Sequence, residues 1–183
     1  MSEKELVEAC LRGERKAQRE LYEQYAPLML AVCRRYVGTL EDAEDVMIEG
    51  FWKVFHKLDS YKGEGSFEGW IRRIMINECL MFLRRKDPLR FSAEISDRRE
   101  FTREPSVVSR LQTEQILALL DELPSGYRTV FNLYAIEGYK HREIAELLGI
   151  SINTSKSQYL LARARLTELL ASRLGIHKPD HGT

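Results

Sequence analysis

The chain has 183 residues, with 28 Lys plus Arg against 28 Asp plus Glu, so its formal net charge is zero. That length fits one large domain or two small ones, and the even charge balance excludes a protein that coats duplex nucleic acid along its whole surface, which is usually strongly basic. Three scattered cysteines without metal or redox spacing (Cys10, Cys33, Cys79), no apolar run of membrane length and an acidic N-terminus without an apolar signal core are expected of a soluble, cytoplasmic chain.

Residues 3–12 and 14–37 read as two helices broken at Gly13. Leu6, Ala9 and Cys10 form the first apolar stripe. Leu21, Tyr22, Tyr25, Leu28, Met29, Val32, Cys33 and Tyr36 form the second, with Pro27 predicted to kink it. Gly38 ends this helix, and Thr39 is the N-cap of the next, with Asp42 three residues on. In Glu41–Phe55, Ala43, Val46, Met47, Gly50 and Val54, continued by Leu58, line one helical face. The opposite face carries Asp45, Ile48, Glu49 and Trp52. Acids beside an exposed Trp and Ile fit a face that docks on a partner. Acids at a helix start fit a solvated N-terminal turn equally well.

Asp59–Ser66 breaks the periodicity and reads as a loop, which serves as a plain connector or as a pocket for an unstacked base. Ser66 or its neighbour then caps a helix over Phe67–Lys86. Trp70, Ile71, Ile74, Cys79, Leu80 and Leu83 make its apolar side. Arg72, Arg73, Asn77, Arg84, Arg85 and Lys86 make the rest. Cations for phosphate, an amide for a base edge and a ring for stacking are what nucleic acid requires. The last three cations also suit a helix C-terminus, whereas Arg72 and Arg73 lie too far upstream for that.

Residues 88–106 alternate charges without an apolar period and read as a linker, in which Phe91, Ile95 and Phe101 are candidate anchors. Residues 107–175 are again helical. Val107–Leu123 stops at Pro124, and Ser125–Glu137 stops at Gly138, with Val130, Phe131, Leu133, Tyr134 and Ile136 as its apolar row. Ile144, Ala145, Leu148, Gly149 and Ile150 then give a short helix and a glycine turn, and Ser151 caps a further helix. This spacing is that of a helix-turn-helix, although a plain helical hairpin shares it. Asn153, Thr154, Ser157 and Lys156 open the second helix and Gln158, Arg163 and Arg165 continue it, so that its first half can enter a major groove and its cations can reach phosphate. Lys140, His141 and Arg142 open the first, where backbone amides favour phosphate. Residues 176–183 form a short polar tail. The predicted fold class is therefore all-α, with two small helical domains (1–87 and 107–175) on a flexible linker.

Two stretches in this order resemble the extracytoplasmic-function (ECF) sigma factors of the bacterial sigma-70 family. Asp42–Lys86 is similar to sigma region two and Leu120–Leu166 to region four. The resemblance implies a non-enzymatic subunit without metal or cofactor. It also implies core RNA polymerase (β′ coiled coil and β subunit), promoter DNA and an anti-sigma or other recruiting protein as partners. Asp45, Ile48, Glu49 and Trp52 would dock on the polymerase. Ser60, Tyr61, Lys62, Gly63, Glu64, Phe67, Trp70 and Asn77 would receive unstacked bases of the minus-ten element, with Arg72, Arg73, Arg84 and Arg85 on the backbone. Lys140, His141, Arg142, Asn153, Thr154, Lys156, Ser157, Gln158, Leu160 and Arg163 would bind the minus-35 element.

The sequence departs from the family pattern where Ile48 replaces the usual Gln and Ser155 replaces Val. Gln158 stands where Arg is frequent, and Leu161 where many members carry a DNA-gripping Arg. Ser155 is expected to bond back to helix carbonyls, and the missing Arg to weaken minus-35 binding.

Two other readings compete with this one. An ordinary helix-turn-helix regulator leaves the basic aromatic helix unexplained. A metal-dependent hydrolase built on Glu41, Asp42, Glu44, Asp45 and Glu49 fits poorly, because its acids crowd together instead of converging from several helices and His56 is the only nearby His.

Overall fold

A computed structural model describes residues 2–88 and 113–173. The predicted linker anchors, residues 107–112 and the tail lie outside them. The chain divides into two units, Met1–Asp87 and Pro88–Thr183, and every described regular element is helical.

The first unit contains α1 (Glu3–Leu11), α2 (Arg15–Val37), α3 (Leu40–His56) and α4 (Phe67–Lys86). Ser2 caps α1 reciprocally with Glu5, satisfying two donors at the helix start. Tyr25 donates to Glu3 at 3.2 Å and ties α1 to α2. α2 runs on through Pro27. Its rows at Leu21, Met29, Val32, Cys33 and Tyr36 are buried, but Tyr22 and Leu28 fall on the rim and are exposed.

Thr39 caps α3 by accepting from the Asp42 amide at 3.1 Å. The predicted stripe Ala43, Val46, Met47, Gly50, Val54 and Leu58 is buried throughout, joined by Phe51. α2, α3 and α4 pack on one another around Ile71, Met75, Ile76, Cys79 and Leu80 of α4. Gly50 sits where α3 meets the buried Met75, with no room for a side chain. An ion pair lies in this packing: Lys53 Nζ is 2.6 Å from Glu78 Oε1, and Glu78 is almost wholly buried.

The second unit contains α5 (Thr113–Asp121), α6 (Ser125–Phe131), α7 (His141–Leu148) and α8 (Ile152–Arg173). Leu119, Leu120, Leu123, Val130, Leu133, Ile144, Ala145, Leu148 and Ala162 are buried in it. α7 ends at Gly149 in the left-handed conformation (φ 69°), and Ser151 accepts from the Thr154 amide at 2.9 Å to start α8.

The helix expected over 125–137 is two pieces. After Phe131 it widens into a π-helical turn over Asn132–Ile136, closed by a bond from the Glu137 amide to the Asn132 carbonyl. The wider turn changes the angle between successive side chains. Tyr134 and Ile136, predicted on the apolar row, therefore emerge at the surface.

Candidate nucleic-acid interface

α3 presents Asp45, Ile48, Glu49 and Trp52 outward, because burial of the Ala43–Val46–Gly50–Val54 row fixes the rotation of the helix. Ile48 is 58% exposed and Trp52 60% exposed. An exposed indole is usually loosely held. Here the His56 ring stacks on it at 3.8 Å and 30°, and His56 Nδ1–H donates to the Trp52 carbonyl at 2.8 Å. His56 was not singled out from sequence. Its position four residues after Trp52 was the signal available.

A groove of about 500 Å³ runs between α3 and α4, lined by Asp42, Asp45, Val46, Glu49, Phe82, Arg85 and Lys86. Two ion pairs cross it, Arg85–Glu49 and Lys86–Asp42, each at 3.2 Å. Glu49 and Arg85, which the sequence assigns to different partners, thus face each other in the free chain. Both are more than half exposed, so the pair is weak and can open.

Residues 61–66 form a loop whose Gly63 and Gly65 have positive φ, a backbone that side chains resist. Tyr61 closes the loop by donating to the Gly65 carbonyl at 3.1 Å. Its ring lies 5.5 Å from Trp70 and 4.9 Å from Phe67. Ser60, Lys62, Gly63 and Glu64 are exposed, and Trp70 is half-buried.

Phe67 corrects an expectation. It is fully buried against Tyr25, Tyr61 and Trp70, so its ring backs those side chains and is not presented at the surface. The first residue of a helix looks exposed in sequence, but here it is inserted against α2.

Along α4, Trp70, Arg73, Asn77 and Arg84 recur three, four and seven residues apart and so share one outward face. Met81 belongs to the same face and is 44% exposed, an apolar side chain among cations that the sequence reading passed over. Arg72 lies to one side, 3.1 Å from Glu68.

In the second unit, Asn153, Lys156, Ser157 and Leu160 form the exposed face of α8. The Ser157 hydroxyl donates to the Asn153 carbonyl at 2.9 Å, and the Thr154 and Ser151 hydroxyls are 2.8 Å apart. Lys140 and Arg142 are exposed at the start of α7, with Arg142 3.4 Å from Glu146. Arg163 is half-buried over the Tyr159 ring.

Three expectations change in this unit. Gln158 is 2% exposed and cannot reach DNA, because α8 packs against α6 along that side. Ser155 is fully buried, and its hydroxyl meets His141 Nδ1 at 2.9 Å instead of a helix carbonyl. His141 itself stacks on Tyr134 at 4.2 Å and 12°. Its Nδ1 edge and one ring face are thus engaged within the unit, while the residue stays half-exposed. Burial, helped by the Lys156 charge, lowers its pKa below the ordinary value.

Two outcomes follow. The folded state favours neutral His141, so its contribution to stability is complete above the unfolded pKa of about 6.5 and is lost as pH falls through the lower folded value. Urea unfolding of the second unit, followed by NMR, should therefore weaken on acidification in the wild type and less so in His141→Phe. Equal pH slopes would contradict this. Separately, Gln158 Oε1 is buried without a partner. Gln158→Met is expected to stabilise the unit by about 1 kcal/mol in the same experiment and to leave DNA affinity unchanged. Weaker DNA binding at unchanged stability would restore Gln158 as a contact.

Comparison with known proteins agrees with this division. Residues 21–88 match the Sigma-70 region 2 family, and residues 113–166 match Sigma-70, region 4. The ECF RNA polymerase sigma factor SigE of Mycolicibacterium smegmatis is 34% identical over 83% of this chain and 61% of its own length. The ECF RNA polymerase sigma-E factor of Haemophilus influenzae is 29% identical over 89% of this chain and 92% of its own. Among solved structures, CnrH in complex with the cytosolic domain of CnrY superposes with a TM-score of 0.50, at 26% identity, covering 91% of this chain and 96% of that one. With both sigma regions present in order, each built as an independent helical unit, the chain belongs to the ECF branch of the sigma-70 family.

Proposed function

We propose that the chain is a promoter-specificity subunit of bacterial RNA polymerase acting in the cytoplasm. The observation that carries this is the pairing of two unlike surfaces on one small domain. Asp45, Ile48, Glu49 and Trp52 of α3 form an acidic and apolar face suited to a protein partner. Trp70, Arg73, Asn77 and Arg84 of α4 form a cationic face suited to DNA.

In this reading α3 docks on the β′ coiled coil of core RNA polymerase. The loop over 60–66, with Trp70 and Asn77, receives unstacked minus-ten bases. Unstacking costs a few kcal/mol, which stacking and hydrogen bonds in the pocket must return. Arg72, Arg73, Arg84 and Arg85 hold the strand backbone. Asn153, Lys156, Ser157 and Leu160 face the minus-35 groove, while Lys140 and Arg142 reach phosphate. Bond-making chemistry belongs to the polymerase. A regulatory protein that covers these faces is the expected counterpart; the similar CnrH is known in complex with the cytosolic domain of CnrY.

Gel filtration of the full chain with purified core RNA polymerase tests the docking step. Co-elution at a one-to-one ratio is expected. Separate elution, with retained binding to duplex DNA, would instead fit a free-standing helix-turn-helix regulator.

A further inference from the structure

His141 links three elements of the second unit. Its ring stacks on Tyr134 of the π-helical turn at 4.2 Å, and its Nδ1 lies 2.9 Å from Ser155 Oγ on α8. Tyr134 also packs on Tyr159, one turn further along α8, at 4.5 Å. Ser155 is fully buried and lies between Thr154 and the exposed Lys156. The rotation of the exposed face about the helix axis therefore depends on what holds position 155. An apolar residue there would pack without direction, whereas a hydroxyl meeting a fixed imidazole is directional.

We propose that His141 is a positioning residue for promoter readout: it clamps the first turn of α8 through Ser155 and so sets the angle at which Asn153, Lys156 and Ser157 meet the bases. This rests on the reading of α8 as the minus-35 helix. It is a role distinct from the direct phosphate contact expected of His141 from sequence. The π-helical turn gains a role as well, since its width delivers the Tyr134 ring onto the face of the imidazole.

The test uses the full chain assembled on core RNA polymerase. The probe is the duplex that the wild-type assembly enriches from a randomised pool. His141→Ala and Ser155→Ala are each expected to weaken binding about tenfold, the loss of one hydrogen bond amplified by misalignment. Neither should change the dependence of affinity on salt, and the double variant should bind no more weakly than either single one. His141→Asn, which keeps a hydrogen-bonding atom near the place of Nδ1, should retain most of the affinity.

A loss in His141→Ala well beyond that in Ser155→Ala, or a salt slope reduced by about 0.9, would mark a direct phosphate contact and overturn the proposal. Additive losses in the double variant would overturn it too, as would wild-type binding by Ser155→Ala. If His141→Ala does not fold, Ser155→Ala, which removes a single oxygen, decides alone. Lys156→Ala serves as the control. Wild-type binding by that variant would show that α8 is not the reading helix, a failure distinct from that of the clamp.

Discussion

Reversing both acids on the outward face of α3, with Asp45→Lys and Glu49→Lys together, is expected to lower affinity for core RNA polymerase at least about a hundredfold. Like charges brought together at an interface cost several kcal/mol, and each 1.4 kcal/mol is a factor of about ten. The fold should survive. Both side chains are exposed, and the one ion pair lost, Glu49–Arg85, is a surface pair worth at most about 1 kcal/mol. Binding by calorimetry and urea unfolding followed by Trp emission separate the two effects. Ile48→Gln should bind nearly as the wild type does, because that site tolerates an amide in the family pattern and is 58% exposed in the free chain. Unchanged polymerase affinity in the double reversal would move the interface off this face.

The second large effect is expected inside the same helix. A Cβ on Gly50 would lie 2.3 Å from Met75 Sδ and 3.0 Å from Met75 Cε. Met75 is fully buried, so relieving this contact requires its thioether to adopt another rotamer inside the core. Glycine in a helix interior sacrifices about 1 kcal/mol of propensity relative to alanine. Here that loss is the condition for α3 and α4 to approach closely. Gly50→Val is expected to destabilise the first unit by about 3 kcal/mol through overpacking. That is a large fraction of the 5–15 kcal/mol typical of a whole domain. Urea unfolding is well suited to this measurement because both tryptophans, Trp52 and Trp70, report on the first unit alone. Adding Met75→Ala to Gly50→Val should recover part of the loss. An unchanged unfolding midpoint in Gly50→Val would mean that the contact is looser than described.

Much of this arrangement was legible in the sequence. The stripe from Ala43 to Leu58 has the period of a helix and no competing pattern, so its inward and outward faces could both be read. Thr39, Ser66 and Ser151 cap their helices as their side chains dictate, and Gly149 turns where only a left-handed residue fits. What escaped was decided by neighbours distant in sequence. Phe67 is core because α2 supplies Tyr25 opposite it. Gln158 is core because α6 covers that side of α8. Glu78 is buried because Lys53 of α3 reaches it. In each case the periodicity showed that a helix forms but not how wide an arc its neighbours would cover. The π-helical turn is a further case, since Asn132–Ile136 carries no residue that announces a wider turn.

The Glu49–Arg85 and Lys86–Asp42 pairs were equally hidden. The first places a cation expected on DNA against an acid expected on the polymerase, so a partner that takes Glu49 leaves Arg85 available. The strength of each exposed pair is small, and any such gain is correspondingly modest.

The central claim is that this chain confers promoter selection on a polymerase that lacks it. In vitro transcription tests it most directly, with purified core RNA polymerase, with and without the full chain, on a library of genomic promoter fragments. Transcripts with defined start sites are expected only when the chain is present, and they should be lost when Asp45 and Glu49 are both reversed to Lys. The same start sites with core alone, or no specific transcripts from an assembly that forms stably, would contradict it.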